Sequence, residues 1–235
     1  MAPVASRAGG SWVLLPLAWC TWLLAWLVPS LLAGPRVAIV SPWMETETAP
    51  AALVAAAIFF LVAIWPFWPA FTGPCPVNRP LCPFARPTLE LVMLLGLAAP
   101  FALVAWSVGG HRFHVDGLVR ATIGIAILAL GTRILSVTVE SAGRWLMLAA
   151  MLACVAPIAL HYAASETMNA GWPRVLELSP LVGAGGMAVD GWQRGHGWRT
   201  FVDMALWPTV GGLEIGVAVL VVARRKAHNE APSAT

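Results

Sequence analysis

The run from Phe201 to Ala223 is apolar for long enough to cross a bilayer, and it is closed by Arg224-Arg225-Lys226, the arrangement of a membrane span with a cytoplasmic stop. Asp203 lies near the start of this run, within reach of water, whereas a second carboxylate, Glu214, sits well inside it. Backbone placed in lipid must satisfy its own hydrogen bonds, so a run of this kind is predicted to be helical. Charged residues make up 11% of the whole chain and apolar residues 59%, against about 25% charged in an ordinary soluble globule. The chain is predicted to be an all-α, polytopic bundle of membrane-spanning helices without a soluble domain.

Five further runs match the first. Spans are predicted at Trp12–Ala33, Pro50–Phe71, Thr88–Val108, Leu118–Val139, Trp145–Ala163 and Phe201–Ala223, all in a single membrane domain over 1–235. The first follows a lone cation, Arg7, but is too long for the apolar region of a secretion signal and has no small-x-small cleavage site. Between Gly73 and Pro87 five prolines argue against a regular helix and for a stiff, extended connector. Tryptophan is frequent, with 13 copies, and Trp12, Trp43, Trp106, Trp145 and Trp198 fall near span ends, where an amphipathic ring anchors at the headgroups.

Six spans place both termini on one side of the membrane. Assigning Arg224-Arg225-Lys226 to the cytoplasm puts Arg7, Arg79, Arg86, Arg133 and Arg144 there too, against Arg36, Arg112, Arg120, Arg174, Arg194 and Arg199 outside, a bias of the expected sign. The net charge of +3 is scattered and forms no basic stripe, which excludes nucleic acid as a partner. All but one of the 14 cations are Arg, beside abundant Ala, Val and Leu, a bias typical of GC-rich bacterial genomes. These features point to a bacterial inner membrane, with the lipid bilayer as the first partner.

Charges inside spans are costly and therefore the first candidates for function or structure. Counting back from the cytoplasmic ends at about 1.5 Å per residue places Arg133 roughly 10 Å and Glu214 roughly 13 Å deep, so the two are predicted to pair. Gly211, Gly212 and Gly216 would give the fourth span room to come close. Arg86 with Glu90, and Glu140 with Arg144, stand four apart at span ends, the spacing of ion pairs on one helix face.

Other constellations are incomplete. His111, His114 and Asp116 share a loop but have no fourth ligand of suitable spacing, and Cys75 and Cys82 are a lone pair, so no metal site is expected. Cys20 and Cys154 fall within spans and read as small packing residues. Gly183-Ala184-Gly185-Gly186 lacks the Gly-Lys-Ser/Thr ending of a phosphate loop. The stretch Glu140-Ser141-Ala142-Gly143-Arg144 is faintly similar to the Glu-Glu-x-x-x-Arg motif of CAAX-type intramembrane proteases. That family's first Glu is replaced here by Val139, and its Phe-x-x-x-His motif is broken by Pro157 before His161. No enzyme activity and no cofactor are expected.

Three features together resemble the membrane subunit of an ABC-2-type transporter: six spans, a Leu178-Ser179-Pro180-Leu181 segment before the last span, and a last span ending in Arg224-Arg225. Thr88-Leu89-Glu90-Leu91 is similar to a Thr-Leu-Glu-Leu stretch that such permeases carry on the cytoplasmic side. The chain departs from the family in showing a Pro-rich connector where a long amphipathic segment would dock on the ATPase. The resemblance implies a permease that works with a separate ATPase subunit, as a homo- or heterodimer, and docks it through Gly73–Pro87 with Thr88, Leu89 and Glu90. A reading of a different class is a non-catalytic membrane subunit or assembly factor of a larger complex, such as a respiratory one.

Overall fold

The computed structural model describes residues 11–33, 48–68, 82–109, 115–139, 143–168, 175, 178–182 and 205–230, and all six apolar runs form helices within them. These are α1 (Ser11–Ala33), α2 (Thr48–Phe59), α3 (Cys82–Gly109), α4 (Val115–Thr138), α5 (Gly143–Met168) and α6 (Trp207–Glu230). The described residues contain no strand. Four stretches, 83–105, 117–138, 145–167 and 207–227, are long and apolar enough to cross a membrane, and two shorter apolar helical stretches, 13–29 and 53–67, accompany them. The protein is thus an all-α membrane bundle. Leu152, Leu160, Leu213 and Leu220 stand more than half exposed on the outer faces of α5 and α6, where lipid replaces water as the solvent.

The core lies between α1, α2, α3 and α4, and tryptophan ties it together. Trp19 is fully buried and donates from its indole nitrogen to the Leu94 carbonyl of α3 at 2.8 Å. Trp22 does the same to Ala56 of α2 at 2.9 Å and stacks on Phe59. Such rings supply a large apolar surface, while the single N–H finds a carbonyl and avoids an unpaired donor in the core. Trp145, 73% exposed at the start of α5, is placed like the interfacial anchor expected of it. Cys154 is buried in the core cluster and Cys20 is half-buried, as packing residues.

Helix α3 starts earlier than the prolines suggested. Cys82 to Pro87, read above as connector, forms its first turns, so the extended reading fails for that part of Gly73–Pro87, and residues 73–81 lie outside the described ones. The reason is positional: the first N–H groups of a helix have no internal acceptor, so Pro83 at the second position forfeits nothing. Further in, the Thr88 hydroxyl donates to the Phe84 carbonyl at 2.9 Å, next to the hydrogen bond that Pro87 cannot make. Glu90 is consequently two turns inside a helix rather than at its end.

Helix α6 packs on α4 and has no comparable contact with any other described element. A Cβ added at Gly131 would fall within 2.8 Å of the Gly211 Cα, and one added at Gly211 would meet Leu128 Cα at 2.6 Å, so the two backbones touch. Gly212 and Gly216 face open space, which corrects the expectation that all three glycines of α6 make room for α4. Glu214 is level with Thr132, and the two helices run in the same direction with a stagger. At about 1.5 Å per residue, α6 begins roughly 15 Å inside the start of α4 and ends roughly 15 Å beyond it. The described part of the last span is 207–227, which runs past the expected end at 223, while residues 201–204 lie outside the described ones; Arg224 and Arg225 are exposed on the overhang.

Candidate functional site: a buried ion-pair cluster

The end of α2 departs from α-helical winding. Phe60 to Ile64 form a π-helical turn in which Trp65 N–H reaches back to the Phe60 carbonyl, and Trp65 to Phe67 then tighten into a 3₁₀ turn. Pro66 has no N–H to continue the ladder, so the winding changes where it enters. The change aims the Trp65 ring and the Pro66 carbonyl at α3 and α4. Both are fully buried, and both serve the charged pair beneath them.

That pair is Glu90 of α3 with Arg133 of α4. Arg133 Nη2 donates to Glu90 Oε2 at 2.7 Å, and each side chain is 2% exposed. Trp65 Nε1 donates to the same oxygen at 3.1 Å, and Arg86 Nε donates to Glu90 Oε1 at 2.9 Å. Arg133 also donates through Nη1 to the Pro66 carbonyl at 3.4 Å, and its guanidinium carbon stands 5.8 Å from the Trp65 ring centroid. The Ser136 hydroxyl donates to the same Pro66 carbonyl at 2.7 Å. Arg133 Nε is buried with no hydrogen-bond partner. A planar cation suits this place because its donors fork toward a carboxylate and a carbonyl while its face meets an aromatic ring.

This arrangement corrects the expected pairing of Arg133 with Glu214. The carboxylate of Glu214 instead lies 2.8 Å from the Thr132 hydroxyl, which is also 3.0 Å from the Leu128 carbonyl of its own helix. Thr132 and Arg133 are neighbours in sequence, so the two acids do lie at similar heights along α4. Successive residues of a helix point about 100° apart, however, and carry the two contacts to different faces. The Arg86–Glu90 pair expected from spacing is present, although Glu90 is shared with Arg133 and is not interfacial.

Burial of Glu90 also removes it from the docking surface proposed with Thr88 and Leu89; those two remain exposed. The Leu178-Ser179-Pro180-Leu181 segment packs inward. Ser179 and Pro180 are buried, and Ser179 Oγ donates to the Cys154 carbonyl at 2.7 Å, near mid-height of α5. Backbone that is not part of a spanning helix is tolerated at such depth where protein covers it. Glu140, His111, His114, Cys75 and the side chains of Arg144, Asp116 and Cys82 lie outside the described residues. Among the described residues, no three His, Cys, Asp or Glu side chains are grouped to hold a metal.

Trp65, Pro66, Thr132 and Ser136 carry much of the site, and of these the sequence marks only Trp65 and Pro66, as a proline interruption at the end of the second span. Their only signal is the Trp65-Pro66 step at a span end, which reads equally well as an interfacial stop. The cluster joins three helices through one carboxylate, an arrangement that fixes their relative rotation. No family model matches this chain, and neither a curated protein nor a solved structure does.

Proposed function

We propose that this chain is a membrane-embedded subunit without catalytic chemistry of its own, serving a larger assembly. The observation that carries the reading is the Glu90–Arg133 cluster: Glu90 accepts from Arg133 of α4 and from Trp65 at the end of α2, and Arg133 also reaches the Pro66 carbonyl, so the buried charge is committed to holding α2, α3 and α4 in register. Arginine bias and span composition support a bacterial inner membrane, with both termini in the cytoplasm. Burial takes Arg133 out of the count of cytoplasmic cations, and the orientation rests chiefly on Arg224-Arg225-Lys226. A reporter fused after Lys226 should read cytoplasm and one inserted within 110–114 should read the outside; the opposite pair of results overturns the orientation.

The permease of an ABC-2-type transporter is a second, finer reading. Two observations favour it: the Leu178–Leu181 segment has an ordered place against α5, and Thr88 and Leu89 are exposed near the charged end of α3. Affinity purification of the full chain from its native membrane in mild detergent separates the alternatives. A co-purifying ATPase supports the permease, and co-purifying redox subunits support a respiratory complex. A chain that recovers with no partner of either kind defeats the proposal.

A further inference from the structure

A cavity of about 210 Å³ lies between α1, α2, α3 and α4, on the side of the bundle away from the ion-pair cluster. Its wall is made of Trp19, Leu23 and the aliphatic side chains of the other three helices, with the Thr122 hydroxyl as the one polar side-chain group besides the Trp19 indole. That indole N–H is already given to the Leu94 carbonyl. A cavity so lined offers water almost no hydrogen bonds and stays dry unless an apolar molecule enters it. Left empty, it would forfeit the dispersion contacts of every side chain around it.

Position and shape restrict the occupant. The α3 residues on the wall run from Leu95 to Ala102, about two turns, which gives the cavity a length of roughly 10 Å along the helices. The wall on α2, Leu53 to Leu61, and the wall on α4, Leu118 to Ile125, have a similar extent, so the space is a slot alongside the helices that an unbranched hydrocarbon chain enters lengthwise. Small side chains on three helices, Ala57, Ala98, Ala102 and Ala121, create the bore. Ala99, also on the wall, is exposed, so the cavity reaches the outer surface of α3 within its membrane-crossing stretch. The wall residues of α4, Leu118 to Ile125, begin three residues after its start at Val115, so the mouth faces the apolar layer of a single leaflet.

We propose that this cavity is a lipid site that holds one acyl chain of a bilayer phospholipid, taken from the leaflet next to the α3–α4 connection. The chain fills the space between α1 and α4, and the site is independent of the assembly that the protein serves.

The test uses the full chain in phosphatidylcholine vesicles containing a small fraction of phosphatidylcholine with a diazirine midway along one acyl chain. After irradiation, cross-linked residues are mapped by mass spectrometry, with and without an exhaustive detergent wash beforehand. Lipid at the outer faces of α5 labels Leu152 and Leu160 and is lost on washing, whereas the cavity lipid labels Leu95, Ala121 and Ile125 and survives it. Ala98→Leu narrows the bore and should lower the wash-resistant cross-links about tenfold, a loss of about 1.4 kcal/mol in affinity, without changing those on α5. Ala121→Phe, which blocks the bore from its buried wall, should abolish them. If that variant does not fold, the Ala98→Leu result and the wash resistance of the parent decide the matter. Cavity cross-links that wash out as readily as those on α5, or that persist in Ala98→Leu, overturn the proposal. A diazirine-bearing polyprenol that displaces the phospholipid from these residues also overturns it, in favour of a branched isoprenoid.

Discussion

Replacing Glu90 by Gln keeps the shape of the side chain and removes its charge, leaving Arg133 in a site where 2% of its side chain is exposed. Breaking a buried pair from one side typically costs about 3–5 kcal/mol, because the surviving charge keeps its desolvation penalty and loses its partner. Arg133→Met should cost less, near the lower end of that range, since Glu90 retains Arg86 and the Trp65 indole. The double variant Glu90→Gln with Arg133→Met removes both charges and should be less damaged than the sum of the two, giving a coupling of about 2–3 kcal/mol. The same cycle on Arg133→Met with Glu214→Gln should close to within about 0.5 kcal/mol, because the two side chains have no hydrogen-bond partner in common. Unfolding free energies of the full chain in bicelles, measured by steric trapping, supply each corner of the cycles. A Glu90→Gln variant as stable as the parent, or coupling of Arg133 to Glu214 in place of Glu90, would refute the reasoning.

Three other outcomes are expected. Gly131→Leu and Gly211→Ala should each destabilise by about 1–3 kcal/mol through backbone overlap between α4 and α6, whereas Gly212→Ala and Gly216→Ala should fold like the parent; equal effects at all four would deny the close crossing. Arg133→Lys should fail to restore stability despite keeping the charge, because an ammonium cannot fork between Glu90 Oε2 and the Pro66 carbonyl; a thermal midpoint in detergent equal to the parent's would show that charge alone matters. Ser179→Ala removes one buried hydrogen bond to the Cys154 carbonyl and should cost about 1 kcal/mol, read as easier protease cleavage around residues 178–182; unchanged cleavage would mean the bond does not hold the segment.

Length and polarity, which a sequence displays directly, were enough to locate the helices: all six apolar runs are helical, with ends displaced by several residues. The displacements have causes that a hydropathy pattern does not carry. Pro83 and Pro87 look like helix breakers until their place near a helix start is known, and the last helix continues through Arg224-Arg225-Lys226 to Glu230 because cations that leave the lipid do not end a helix. The site was legible in its members, since Arg133, Glu90, Arg86 and Glu214 all stand out as charges in or beside apolar runs. Their pairing was not. Counting residues from a span end gives depth, and depth matched Arg133 to Glu214 correctly, but choosing a partner requires the azimuth of each helix. That azimuth depends on where Gly131 meets Gly211 and on where the π turn aims Trp65, both properties of packed helices rather than of any one segment.

The Glu90–Arg133 pair also bears on how the chain enters its membrane. Helix α4, presented singly to lipid, carries Arg133 without its partner, at an insertion cost of about 2.5–3.5 kcal/mol on biological insertion scales, whereas α3 brings Glu90 together with its own Arg86. Presented together, across the short connection of residues 110–114, α3 supplies the counter-charge of Arg133 before α4 is exposed to acyl chains. The two helices are therefore a natural unit of translocation, a hairpin released sideways in one event. An α4 made behind an α3 that lacks Glu90 would be the reluctant helix, slow to leave the insertion channel.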